Sequence, residues 1–566
     1  MDRVAVLADH PQVVFGSQIR VFSMNRCVLG AMARLARTMT VAVLSTLPMA
    51  ASAETLVEGQ FAPDNLGFSQ AVATAAVADD ALSDWYRDTG YAPLWTAADQ
   101  ADRRTALFAA LATAADHGLP PERYDADGLR RMLRLAQTEA DRGRAEVALS
   151  QAYLTWARDL TSGMLDPASV DPGILREIKR IEPRTLLSRL ANGDAQVVMD
   201  WLVPDHASYL ALMQGKIALE AQIAAGGWGE PVDVGSLAPG DSGVAVVALR
   251  DRLTRMGYLA PTAAASYDRA MQSAVQKFQI THGLPADGVA GETTIAEVNL
   301  SPEDRLKSVI VALERERWMH IDRQTRHIWV NLPDFKAKII EAGRVVFETR
   351  VVIGKNILDQ RSPEFSDEME HMVINPSWGV PRSIIVKEYL PLMQQNPNAA
   401  GHLQVIDGRG RVVPRDAIDF TAYTAGNFPY DMRQPPSDGN ALGLVKFMFP
   451  NPYNIYLHDT PSKSLFDKDV RAFSHGCIRV ADPFDLAHEL LSVQSAAAEA
   501  EFDAHLQTGD ETTVKLERTV PVHLVYFTAY PDDKGRMTYR RDVYGRDAAL
   551  FDALSAAGVA LPGVQG

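Results

Sequence analysis

Near residue 327 the hydrophobic period of this chain changes, and that change constrains the fold more than any other feature. Before it, apolar residues recur at helical spacing, as in Arg103–His117 and Ala145–Leu160. After it, His327–Leu332 alternates, and Lys336–Ile340 and Val345–Ile353 flank a turn at Glu341-Ala-Gly-Arg344, which predicts a β-hairpin that opens a sheet. Met372–Ile374 and Asn454–His458 supply further strands, and the alternation over 514–545 closes the sheet. The two periods build different layers, so the fold class is α+β and multidomain. A length of 566 residues also exceeds what one core holds.

The helical region, 54–230, reads as an all-α scaffold domain broken at Gly118-Leu-Pro-Pro121 and Asp166-Pro167. Its stretch Tyr91-Ala-Pro-Leu-Trp95 reads as packing, and Gly226-Gly-Trp-Gly229 opens a linker. A compact unit at 235–300 starts a helix after Asp241-Ser-Gly243, with apolar Val244, Val247, Leu249 and Leu253. A second helix carries Ala274, Val275, Phe278 and Gln279, before turns at His282-Gly283 and Asp287-Gly288. Residues 305–545 form the β-rich domain, in which 381–436 interrupts the strand pattern as an inserted cap or lid. Asp482-Pro483 starts a helix as N-cap and first turn, and 546–566 is left as a C-terminal tail.

A net charge of −15 argues against nucleic acid, whose phosphates need clustered Lys and Arg. It also argues against electrostatic attraction to an anionic membrane or wall. Arg26, Arg34 and Arg37 precede the mostly apolar run Thr38–Pro48, followed by Ala51-Ser52-Ala53. This pattern predicts a secretory signal peptide over 1–53, with synthesis starting at Met24 and an uncleaved inner-membrane anchor as the alternative. No later run approaches the about 18 apolar residues of a span, so the mature chain is expected to be periplasmic without a membrane span. Of two cysteines, Cys27 leaves with the signal, and Cys477 remains as a lone thiol where paired thiols oxidise.

The neighbours of Cys477 bear on its role. Ile455-Tyr-Leu-His458-Asp-Thr-Pro461 is followed, after twelve intervening residues, by Ser474-His475-Gly476-Cys477-Ile-Arg479. A thiol at its ordinary pKa of about 8.5 is mostly protonated at neutral pH and needs a base or cation beside it to attack a carbonyl. His475, two residues away, and His458, at the end of a predicted strand, are the candidates. Gly476 lets the backbone bend so that N–H groups around Gly476 and Cys477 can point at a developing oxyanion.

This pair of segments resembles the L,D-transpeptidase catalytic domain of YkuD type, whose signature is His, about fifteen residues, then Ser/Thr-His-Gly-Cys and Arg or Asn. Fifteen residues separate His458 from Ser474. Asn440-Ala-Leu-Gly443 and Val373–Trp378 agree with it, and 235–300 resembles the peptidoglycan-binding domain type 1. The resemblance implies Cys477 as nucleophile, His458 as proton donor and acceptor, and His475 and Gly476 lining the thiol and oxyanion. It places Arg479, Ser474, Trp378 and Asn440 towards substrate, assigns no role to Asp459, and implies a three-helix wall-binding module and a cap over the acyl-donor site. The implied reaction joins a donor tetrapeptide and an acceptor stem of peptidoglycan through a cysteine acyl-enzyme, needing no cofactor and no metal.

Two other readings compete. His458, His475 and Cys477 could hold Zn²⁺ with an open fourth position, although no H-E-x-x-H or paired-Cys pattern accompanies them. A wall-anchoring scaffold with a dead catalytic fold is the non-enzymatic alternative. Acceptors other than a stem amine, namely water, a D-amino acid or a protein amine, stay open, and nothing in the sequence identifies protein partners or oligomeric state.

Overall fold

The computed structural model describes residues 66–562. The expected signal segment, with Met24 and Cys27, lies outside the described residues. Among the described residues no helix is long and apolar enough to cross a membrane.

Helices from Leu66–Ala76 to Ala207–Ala224 build the first part. The longest, Glu139–Ser162, opens with a capping box in which Thr138 and Asp141 each receive the other's backbone N–H. Inside it, the fully buried Glu146 carboxylate accepts the N–H groups of Leu94, Trp95 and Thr96. The Tyr91–Trp95 stretch is therefore a clamped packing element. Three helices follow, Val244–Arg255, Arg269–Thr281 and Glu292–Asn299, around a core that includes Leu249, Leu253, Val275 and Phe278. This module is seated against the β-rich part. Arg540 Nη1 donates to the Thr281 carbonyl at 3.3 Å, and a Cβ on Gly283 (φ +65°) would lie 2.6 Å from Arg540 Cδ.

Helix Pro302–Trp318, capped by Ser301 and Asp304, was not foreseen. Its end, Glu314-Arg-Glu-Arg317, reads as a solvated face, yet all four residues are buried. Glu314 pairs with Arg317, and Arg315 with Glu364 and Asp547. Charges so placed satisfy one another and let the helix run through the interior.

The main sheet has nine strands. Their order is Ala472–Ser474, Arg344–Gly354, Ile478–Val480, Leu457–His458, Val445–Met448, Phe365–Ile374, Thr512–Val525, His327–Asn331 and Lys336–Glu341. Lys336–Glu341 also pairs with Arg344–Gly354, so the sheet closes on itself around buried Val330, Ile339, Met372, Phe447 and Leu524. Leu457–His458 runs parallel to Ile478–Val480 with His458 opposite Arg479. The strand expected from Asn454 starts only at Leu457, because Asn454 sits at φ +55° and the Asn451 side chain binds the loop's backbone. Asp482 precedes helix Pro483–Leu491, but its carboxylate accepts from Thr349 Oγ1 at 2.8 Å instead of capping.

The cap segment is more than helix and loop. Trp378–Gly379, Gln404–Ile406, Val412–Val413 and Asp431–Gln434 form a separate four-stranded sheet with its own core. The stretch read as a C-terminal tail is a helix, Arg546–Ala556, with Arg546, Leu550 and Leu554 buried. Its Asp547 and Arg546 belong to the interior ion pairs, and the isolated apolar residues at helical spacing acquire partners only through the fold. Because Leu550 is fully buried, Leu550→Ala is expected to cost about 2–5 kcal/mol. A calorimetric melting temperature unchanged by L550A would return the segment to a tail.

Candidate active site

The catalytic-motif turn lies between strands Ala472–Ser474 and Ile478–Val480. Gly476 has φ +118°, a region closed to most side chains, and a Cβ there would meet Ile455 Cδ1 at 3.2 Å. The buried Ser474 hydroxyl organises the turn. It accepts the Gly476 N–H at 3.1 Å and donates to the Cys477 carbonyl at 2.5 Å. Ser474 is thereby consumed in shaping the turn. The Gly476 N–H is likewise spent, so of the two N–H groups assigned to an oxyanion only that of Cys477 is left, donating no hydrogen bond within the described residues.

Cys477 is half-buried, and its Sγ donates to the Asn454 carbonyl at 3.4 Å rather than to an imidazole. Burial pushes the thiol up to about 11, against opposing hydrogen bonds from Tyr456 and the nearby Arg479 cation. Tyr456, just ahead of strand Leu457–His458, is partly buried beside the thiol, and burial together with that thiol raises the phenol. Sequence reading passed over Tyr456. Its only signal there was the i, i+2 spacing from His458 in an extended segment, which puts the two on one face. Their rings lie 5.6 Å apart.

His458 is buried, and its Nδ1 lies 2.5 Å from the Asp459 carbonyl. A carbonyl there calls for a protonated Nδ1, which leaves the lone pair on Nε2. Burial first, then the Arg479 charge, lowers the ring to about 3, although the Asp459 and Leu442 carbonyls favour the cation. Asp459 itself is clamped. Its carboxylate accepts from Leu444 N–H at 2.9 Å, Thr460 N–H at 2.7 Å and Lys463 Nζ at 2.6 Å. Gly443 (φ +62°) makes room, since a Cβ there would fall 2.2 Å from Asp459 Oδ2.

Arg479 stands opposite His458 across the strand pair. Its Nε is buried without a partner, and among the described residues it joins no ion pair. It is a guanidinium with capacity for an anion.

Three expected site residues lie elsewhere. His475 turns away from the thiol to the cap, where its Nε2 meets Glu388 Oε1 at 2.6 Å. The positive φ of Gly476 breaks the extended geometry that would have put the two side chains on one face. Trp378 belongs to the cap's core, with its strand paired to Gln434. Asn440 is fully buried and spends its amide on its own loop, donating to Pro435 O at 2.9 Å and accepting from Leu442 N–H at 2.8 Å. With His475 withdrawn, the three residues of the zinc reading do not converge, and among the described residues no three His, Cys, Asp or Glu side chains do.

Residues 80–215 match the profile of the family described as "Scaffold domain", 242–297 that of "Putative peptidoglycan binding domain", and 325–515 that of "L,D-transpeptidase catalytic domain". A Haemophilus influenzae protein named "Putative L,D-transpeptidase" is 33% identical over 242 residues, covering 42% of this chain and 48% of the relative. The chain thus matches about half the length of that relative. Two solved L,D-transpeptidases are similar. That of Xylanimonas cellulosilytica (residues 123–326) is 16% identical, covering 52% of this chain and 100% of its own, with a TM-score of 0.16. That of Stackebrandtia nassauensis is 15% identical, covering 52% and 96%, with a TM-score of 0.19. Scores that low carry no argument from shape. The stretch 325–515, which holds the strands flanking Cys477 and His458, is thus similar in sequence to L,D-transpeptidase catalytic domains, and it follows stretches similar to a scaffold domain and a peptidoglycan-binding domain.

Proposed function

We propose that the protein is a periplasmic peptidoglycan L,D-transpeptidase that joins the third residues of two peptide stems through an acyl-enzyme on Cys477. The observation that carries this reading is the strand pair 457–458/478–480, which sets His458 opposite Arg479, two residues from Cys477. A three-helix module at 235–300 would keep the enzyme on the wall.

With the thiol held near 11 and the imidazole near 3, both groups rest neutral. Deprotonation is then part of the attack. The sulfur bonds to the stem carbonyl as its proton passes to the free His458 nitrogen. The oxyanion meets the Cys477 N–H and the Tyr456 hydroxyl. Collapse breaks the C–N bond as His458 returns the proton to the departing D-Ala nitrogen, leaving a thioester. The side-chain amine of a second stem attacks that thioester, gives a proton to His458, and expels the sulfur, which takes the proton back. Arg479 meets a stem carboxylate. The cap, which reaches the catalytic turn through Glu388 and His475, covers the donor. No metal or nucleotide enters these steps.

Incubating the purified enzyme with disaccharide-tetrapeptide and analysing products by mass spectrometry should give D-Ala and a cross-linked dimer. Cys477→Ser should lower the rate more than about 10³-fold. D-Ala with free tripeptide alone would make the enzyme an L,D-carboxypeptidase, and cross-linking by C477S at the wild-type rate would remove Cys477 from the reaction. A second test reads the neutral resting pair. The rate of Cys477 alkylation by iodoacetamide in the free enzyme should climb about tenfold per pH unit from pH 7 to 10, because the thiolate is scarce below about 11. A plateau beginning near pH 7 would mean a preformed thiolate–imidazolium pair.

A further inference from the structure

The back of the catalytic turn rests on a single hydroxyl. Ser362, fully buried, donates from Oγ to the Gly476 carbonyl at 2.6 Å and accepts the Gly354 N–H at 2.9 Å. In a trans peptide the C=O and the following N–H point in opposite directions. Holding the Gly476 carbonyl from behind therefore aims the Cys477 N–H forward, and that N–H is the free one of the turn. The adjoining peptides cannot set this plane alone, since Ser474 ties only the Gly476 N–H and the Cys477 carbonyl.

Ser362 is itself held on every side. Pro363 follows it, which keeps its backbone extended. Its N–H donates to Tyr544 Oη at 3.2 Å, and that hydroxyl donates to the Gly354 carbonyl at 2.6 Å. Its carbonyl accepts from Arg546 Nη2 at 3.1 Å. Arg546, with no exposure, also reaches Asp171 Oδ2 and Glu364 Oε1, each at 3.4 Å. Two residues along, Glu364 N–H donates to the Gly173 carbonyl and its carbonyl accepts the Leu175 N–H, both at 2.8 Å. The scaffold and the C-terminal helix thus end on the residue behind the turn.

We infer that Ser362 is a positioning residue for acyl transfer: it fixes the Gly476–Cys477 peptide plane that presents the Cys477 N–H to the oxyanion, with Tyr544 and Arg546 holding it in place. The inference rests on the transpeptidase reading. The scaffold and the C-terminal helix then take part in the chemistry as the rear wall of the site.

The test compares two reactions of the full-length protein, followed by mass spectrometry of the Cys477 peptide. Acylation by imipenem builds an oxyanion, whereas alkylation by iodoacetamide does not. Ser362→Ala should slow acylation about 10–100-fold, the scale of a misplaced reacting group, and change alkylation less than about threefold. Ser362→Thr, which keeps the hydroxyl, should recover most of the acylation rate. Should S362A not fold, Tyr544→Phe removes one hydroxyl without changing ring volume and should give the same selective slowing to a smaller degree. Equal slowing of both reactions, or an acylation rate in the alanine and phenylalanine variants within twofold of wild type, would overturn the inference alone. A wild-type protein that takes no imipenem adduct would sink the transpeptidase reading and this inference with it.

Discussion

The structure depends on a buried knot of charge. Arg315 and Arg546 share Glu364, with Asp547 bound to the first and Asp171 to the second. The five groups come from the scaffold, the central helix, the segment leading into strand Phe365–Ile374 and the C-terminal helix. Taking them out of water is costly, and a cluster of this kind adds little net stability over a well-packed apolar one. What it does is penalise every arrangement that leaves one member alone. Burial raises the Asp547 carboxyl, against the pull of Arg315. Four segments far apart in sequence are thereby held in one register, and the catalytic turn is built against that fixed wall.

Against this charged interior, burial disfavours charge on both Cys477 and His458. The same desolvation acts on both members but in opposite senses, raising the acid and lowering the base. A neutral thiol is slow to react with small oxidants, because reactivity follows the thiolate. In the proposed reaction, proton transfer waits for a carbonyl to arrive in front of the Cys477 N–H.

Much of the organisation was readable beforehand. The change of period at 327, the three-helix unit with its glycine turns and the spaced His458 and Cys477 are local signals, written in contiguous or nearly contiguous residues. The misses have a common cause. Asn440 and Trp378 have polar or aromatic groups that suit a binding site as well as a loop or a core, and only the surrounding residues decide between them. His475 shares a motif with Cys477, yet one glycine at positive φ separates their directions. Helix Pro302–Trp318 carries charges that look solvated until Glu364 and Asp547, far along the chain, arrive to pair with Arg315.

By itself the sequence determined the layer types and singled out the Ser474–Cys477 segment with its spaced His458, because periodicity and motif spacing act over short stretches of chain. Tertiary structure alone decided which N–H of the turn is left without a partner, that burial raises the thiol and lowers the imidazole, and that the last helix belongs to the interior. Those outcomes follow from burial and from hydrogen bonds between residues hundreds of positions apart, and neither quantity exists until the chain has closed around them.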